Sequence, residues 1–130
     1  MRYPVVIEPG TDTTAYGVIV PDLPGCFSAG DTLDEAMSHA EEAIAAWMDA
    51  ALDAGQAIPR PSDMETLRKA HKAPTSWIWG LVTIDPAGLD DTTERINISL
   101  PRRVLSRLDA QAKAAGESRS GFIAKLTLER

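Results

Sequence analysis

Hydrophobic and polar positions in the first part of the chain fall into short stretches broken by turn residues. Tyr3-Pro4-Val5-Val6-Ile7 predicts a strand, and Gly10-Thr11-Asp12-Thr13-Thr14 is turn chemistry. Tyr16-Gly17-Val18-Ile19-Val20 predicts a second strand, stopped by Pro21-Asp22-Leu23-Pro24-Gly25. Cys26-Phe27-Ser28-Ala29 predicts a short third, ending at Gly30-Asp31. Short strands with tight connections point to an antiparallel meander. The period then changes. Thr32-Leu33-Asp34-Glu35 fits a capping box, with Thr32 at the N-cap and Glu35 reaching back to it. Leu33, Met37, Ala40, Ile44, Trp47, Met48, Ala51 and Leu52 recur at helical spacing and predict one long amphipathic helix, closed by Gly55. Pro59-Arg60-Pro61-Ser62 reads as an extended connector. Ser62 or Asp63 caps a short helix from Met64 to Lys72, and Pro74 ends it. Trp77 to Ile84 is rich in aromatic and β-branched residues and predicts a strand returning to the first sheet.

Asp85 to Thr92 has the composition of a linker, after which strict alternation begins. Ile96, Ile98 and Leu100 share one face of a predicted strand, and Arg95, Asn97 and Ser99 share the other. Pro101 suits the first turn of a helix that carries Val104, Leu105, Leu108 and Ala112 on one side. Gly116 ends that helix. Ser118 caps a last short helix that would bury Phe122, Ile123 and Leu126. The expected organisation is an N-terminal domain over 1–85, a linker over 86–92 and a C-terminal module over 93–130. The expected class is α+β.

Composition alters this picture chiefly through charge. The net charge of −6 over 130 residues hides a division. Residues 1–92 hold 5 basic and 15 acidic side chains, and residues 93–130 hold 8 basic and 4 acidic ones. An acidic body joined to a basic module suggests two units facing different partners. Cys26 is the sole cysteine, so no intrachain disulfide forms. No apolar run approaches the roughly 20 residues that span a bilayer, and the start of the chain does not read as a signal peptide. A cytoplasmic protein without a membrane association is the expectation.

One strand and two short helices bury too little surface to fold alone, since roughly 40 residues rarely build a core. Pairing the strand with its copy from a second chain removes the difficulty. Ile96, Ile98, Leu100, Leu105, Leu108, Phe122 and Ile123 would then form the dimer core, and Arg95, Asn97 and Ser99 would point outward. A two-stranded ribbon fits the major groove of DNA, where Arg can bond two acceptors on guanine and Asn can bond adenine's edge. The last helix starts Ser118-Arg119-Ser120, and its free N–H groups suit a phosphate. This strand–Pro–helix–Gly–helix pattern resembles the ribbon-helix-helix repressors over essentially all of 93–130. The resemblance implies that Arg95, Asn97 and Ser99 read bases and that Ser118, Arg119 and Ser120 hold the backbone.

The stretch Pro21-Asp22-Leu23-Pro24-Gly25-Cys26-Phe27-Ser28-Ala29-Gly30-Asp31-Thr32-Leu33-Asp34-Glu35-Ala36 resembles the signature of HicB-type antitoxins, and the flanking order of strands, helix and Pro-rich connector agrees. The resemblance implies an N-terminal domain like a reduced ribonuclease-H fold without nuclease activity. It also implies a small RNA-cleaving HicA-like toxin as partner, and operator DNA as the target of the C-terminal module. An acidic domain suits a basic partner. Dimerisation through the C-terminal module gives at least a homodimer, and pairing of N-terminal sheets leaves room for a tetramer. The residues that touch the toxin are not legible.

Other chemistry fares less well. Asp12, Asp22, Asp31 and Glu35 lie near strand ends, but two-metal catalysis needs carboxylates that converge, and turn and cap roles explain Asp12, Asp31 and Glu35 better. His39 sits near Glu35 and Glu42 without a second His or Cys, so no metal is expected. Cys26 reads as a packed thiol, and Trp77 and Trp79 read as core or interface residues. The expected protein is non-enzymatic and needs no cofactor. The main rival is a stand-alone transcriptional regulator whose N-terminal domain senses a small ligand. A second is a family member that has lost its toxin.

Overall fold

The computed structural model describes residues 1–90 and 92–129; Asp91 of the expected linker and Arg130 of the basic module lie outside the described residues. The chain divides into two compact units, Met1–Asp91 and Thr92–Arg130.

The first unit is a four-stranded antiparallel sheet with a long helix on one face. Strands β1 (Arg2–Glu8), β2 (Tyr16–Ile19) and β3 (Phe27–Gly30) form the meander. Helix α1 (Leu33–Asp53) follows, then α2 (Met64–Ala70), β4 (Ile78–Thr83) and a 3₁₀ turn at Pro86–Leu89, which occupies the start of the expected linker and packs Leu89 against the core. The order across the sheet is β3-β2-β1-β4, so the return strand pairs with β1 along its length, from Arg2 opposite Thr83 to Ile7 opposite Ile78.

Alternation along β1 sends Tyr3, Val5 and Ile7 toward α1, where Ala36, Ala40, Ile44 and Met48 meet them, with Val18, Val20, Leu23, Cys26, Val82 and Ile84 completing the core. Ala36 is fully buried although it lay outside the expected stripe, and Leu33, inside that stripe, is 39% exposed. The far face is not bare. Val6 is fully buried there, in register with Ile19 and Trp79, and Ile19 is in register with Phe27, which is 71% exposed.

Local chemistry sets the element ends. Thr32 caps α1 by accepting from the Glu35 N–H at 3.1 Å, one half of the expected capping box. Gly55, at φ +71°, ends α1: its N–H donates to Leu52 and that of Gln56 to Ala51, a Schellman closure. Of the two candidates for the cap of α2, the side chain that accepts from Thr66 N–H is Asp63. Gly30 is needed for space, because a Cβ there would lie 2.5 Å from the Ala36 nitrogen.

The second unit holds α3 (Arg102–Ala114) and α4 (Arg119–Leu128). Gly116, at φ +70°, reverses the chain between them with the same Schellman pattern, its N–H donating to Lys113 and that of Glu117 to Ala112. Residues 92–101 form no strand within the single chain.

Candidate functional site

The second unit has almost no interior. Among its described residues Ala112 alone is buried, while Leu105, Leu108, Phe122 and Ile123 are half-buried. Ile96 is 73% exposed, Ile98 60% and Leu100 39%. Apolar side chains at alternate positions on this segment leave apolar area open to water.

Arg95, Asn97 and Ser99 are all exposed. Asn97 lines a hollow of about 530 Å³ together with Ile96, Ile98, Arg119, Ser120 and Ile123, so the extended segment lies beside the first turn of α4. At that turn Ser118 is the N-cap, its Oγ accepting from Gly121 N–H at 3.0 Å. The N–H groups of Arg119 and Ser120 precede the first intrahelical bond and have no acceptor within the helix, at its positive end.

Arg119, expected at a phosphate, has a partner within the chain. Its guanidinium grips Asp109 of α3 in a two-pronged bond, Nε to Oδ1 at 2.8 Å and Nη2 to Oδ2 at 2.9 Å. These bonds hold the Asp109 carboxyl below its usual range, and Asp109 in turn raises the Arg119 pKa. Sequence reasoning missed Asp109 because its partner lies ten positions on, across the Gly116 turn, where no helical spacing rule applies.

In the first unit, the loop between β2 and β3 is held from all sides. Val20, Leu23 and Cys26 close it by backbone bonds, Gly25 takes φ +80°, and Leu23 is fully buried. The Trp47 indole donates to the Pro24 carbonyl at 3.0 Å. Asp22 accepts from both the Ser62 N–H at 2.7 Å and its hydroxyl at 2.5 Å, and the Tyr3 hydroxyl donates to the Pro59 carbonyl at 2.5 Å, so the Pro-rich connector is tied to the sheet. Ser28 donates to Ala36, and His39 Nδ1 lies 2.7 Å from the Ala29 carbonyl, fastening β3 to α1. Asp12, Asp22, Asp31 and Glu35 do not gather, and no cluster of three or more His, Cys, Asp or Glu suited to a metal exists among the described residues. Cys26 is buried and burial pushes its thiol pKa up, which disfavours the reactive thiolate. Phe27, Ile19, Glu8, Gly17 and His71 line an open hollow of about 500 Å³, and the His71 ring meets Trp79 edge-on at 5.9 Å. No helix among the described residues is long and apolar enough to cross a membrane.

Comparison with known proteins bears on both units. Residues 3–127 match the family model described as the HicB-like antitoxin of bacterial toxin–antitoxin systems. A 14.9 kDa protein from the rep-hol intergenic region of Haemophilus phage HP1 is 37% identical over 132 residues, covering 100% of this chain and 97% of its own length. The crystal structure of the Burkholderia pseudomallei antitoxin HicB is similar over 99% of this chain and 97% of that one, at 38% identity and a TM-score of 0.61. A chain of the HicA3 and HicB3 toxin–antitoxin complex matches 66% of this chain over 100% of its length, at 32% identity and a TM-score of 0.52.

Proposed function

Because the chain belongs to the HicB-like antitoxins of bacterial toxin–antitoxin systems, we propose that it captures and neutralises a small RNA-cleaving HicA-like toxin and, as a dimer, represses its own operon. The toxin-binding part falls to the first unit, whose excess of 15 acidic over 5 basic residues through Thr92 suits a basic RNA-binding partner. The family membership and the likeness to a chain from a HicA3–HicB3 complex support this assignment. On this reading the sheet and α1 form a reduced ribonuclease-H-like domain that works by binding, with no reaction of its own, in the cytoplasm.

The DNA-binding part rests on one observation: the second unit buries only Ala112 among its described residues and exposes Ile96, Ile98 and Leu100 on an unpaired segment. Two such segments, paired antiparallel, satisfy one another's backbone and cover the apolar row with the helices of both chains. Arg95, Asn97 and Ser99 of each chain then form the outer face of a ribbon-helix-helix module that enters the major groove. Pairing between first units would build a tetramer and add avidity on repeated operator sites.

Binding to a labelled fragment upstream of the gene tests the DNA-binding part, with wild type compared with the Arg95→Ala/Asn97→Ala variant at two salt concentrations. Sedimentation checks that both stay dimeric. The expected result is tight, salt-sensitive binding by wild type that collapses in a dimeric variant. Equal binding by both removes Arg95 and Asn97 from the interface. Co-expression with the product of a small adjacent reading frame tests the toxin-binding part. Failure of the purified chain to bind that product counts against it.

A further inference from the structure

We propose that Asp109 neutralises Arg119 and withholds its guanidinium from DNA phosphates, so that Arg119 positions the start of α4 instead of binding the backbone. The inference rests on the DNA-binding reading above and refines it.

Arg119 opens α4, where its position in the sequence suggests a phosphate ligand. Its Nε–H and one Nη2–H are instead committed to the two oxygens of Asp109, at 2.8 and 2.9 Å. Both side chains are about half exposed, so neither is forced into the pair by burial. Asp109 has another cation within reach of helical spacing, Lys113, four residues on and in the orientation that stabilises helices. It nevertheless pairs with Arg119, which offers a planar fork matching the carboxylate. The pair ties α3 to the first turn of α4 across the Gly116 reversal. It also cancels the one basic side chain in that turn. What remains for a phosphate is neutral: two backbone donors, the Ser118 and Ser120 hydroxyls and the helix dipole.

Salt dependence separates a neutral clamp from a charged one, because each phosphate neutralised by a cation adds about 0.9 to the slope of log affinity against log salt. The slopes are measured for the full-length protein on the operator fragment and on a duplex of unrelated sequence. Arg119→Gln is expected to leave the slope as in wild type. Asp109→Asn frees one cation per chain and is expected to steepen the slope by about 1.8 per dimer, with higher affinity at low salt. The double variant should return to the wild-type slope. A loss of slope by about 1.8 in Arg119→Gln overturns the proposal, since Arg119 then binds phosphate in the wild type. An unchanged slope in Asp109→Asn overturns it equally, because no cation was being withheld. Asp109→Ala serves as a second variant, and circular dichroism confirms that each remains helical. The unrelated duplex decides the Asp109 question even if the operator shows no dependence on Arg95 and Asn97, an outcome that sinks base reading alone. Wild type that binds neither duplex overturns both.

Discussion

If residues 94–100 pair with their copy, shortening Ile98 should weaken the dimer by an amount that follows from its exposure. Ile98 is 60% exposed in the single chain, so that share of its surface remains to be buried on association. Ile98→Ala removes about three CH₂ equivalents at about 0.8 kcal/mol each, or about 2.4 kcal/mol for full burial. The share still to be covered is about 1.4 kcal/mol per chain, hence about 3 kcal/mol per dimer, or about 100-fold in the dimer Kd. A cavity left between the ribbon and the helices would add to this figure. Sedimentation equilibrium over a wide range of concentration measures it, with Arg95→Ala as the control. Arg95 lies on the opposite face and should leave the dimer Kd within about threefold, or about 0.7 kcal/mol. A dimer Kd for Ile98→Ala within the same threefold would refute the pairing, provided the helices remain intact.

Three further outcomes concern the first unit. Gly30→Ala should lower its stability by about 1–3 kcal/mol in urea titration, because the added Cβ would meet backbone, the Ala36 nitrogen at 2.5 Å and the Glu35 carbonyl carbon at 2.9 Å. Wild-type stability there would mean that α1 can shift freely against β3. Trp47→Phe removes the 3.0 Å bond to the Pro24 carbonyl and should cost about 0.5–1.5 kcal/mol while raising proteolytic cleavage in the 21–25 loop; unchanged cleavage would show that the bond does not hold the loop. The Tyr3 pKa is raised, by burial first and by the Asp22 charge second. A phenol that ionises at higher pH in the folded state stabilises the fold below its ordinary pKa of about 10, and that stability is lost as pH rises through the folded value. Stability of the first unit should therefore fall above pH of about 10 in wild type and fall less in Tyr3→Phe. Parallel alkaline profiles would remove Tyr3 as the cause.

The elements whose signals are local were legible. The capping Thr32, the closing Gly55 and Gly116, and the strand breaks at Pro21 to Gly25 each act within a few residues, and periodicity supplied the long helix. What escaped the sequence depends on proximity in space. Ala36 is core because Gly30 lets the first turn of α1 approach β3, and a single alanine carries no such mark. Asp22 and Tyr3 fasten a connector that begins 37 residues after Asp22, at Pro59, which neither turn chemistry nor spacing reveals. The placement of β4 beside β1 followed from its composition only as far as a return to the sheet; its register required the alternating partners. In the second unit the alternation of 94–100 was plain in the sequence, although no strand forms there within the single chain, whereas the Arg119–Asp109 pair was hidden by the intervening reversal.

The two units meet the problem of burial differently, and that difference constrains how the whole chain behaves. The first encloses Tyr3, Val5, Ile44, Met48 and their neighbours within one chain, so its core needs no partner. The second has Ala112 as its only buried described residue; if it gains its core from a partner, its folding is inseparable from association. A single unfolding free energy would misdescribe such a protein. On dilution the transition of the second unit should move to lower temperature, because mass action bears on a unit that folds only with its copy.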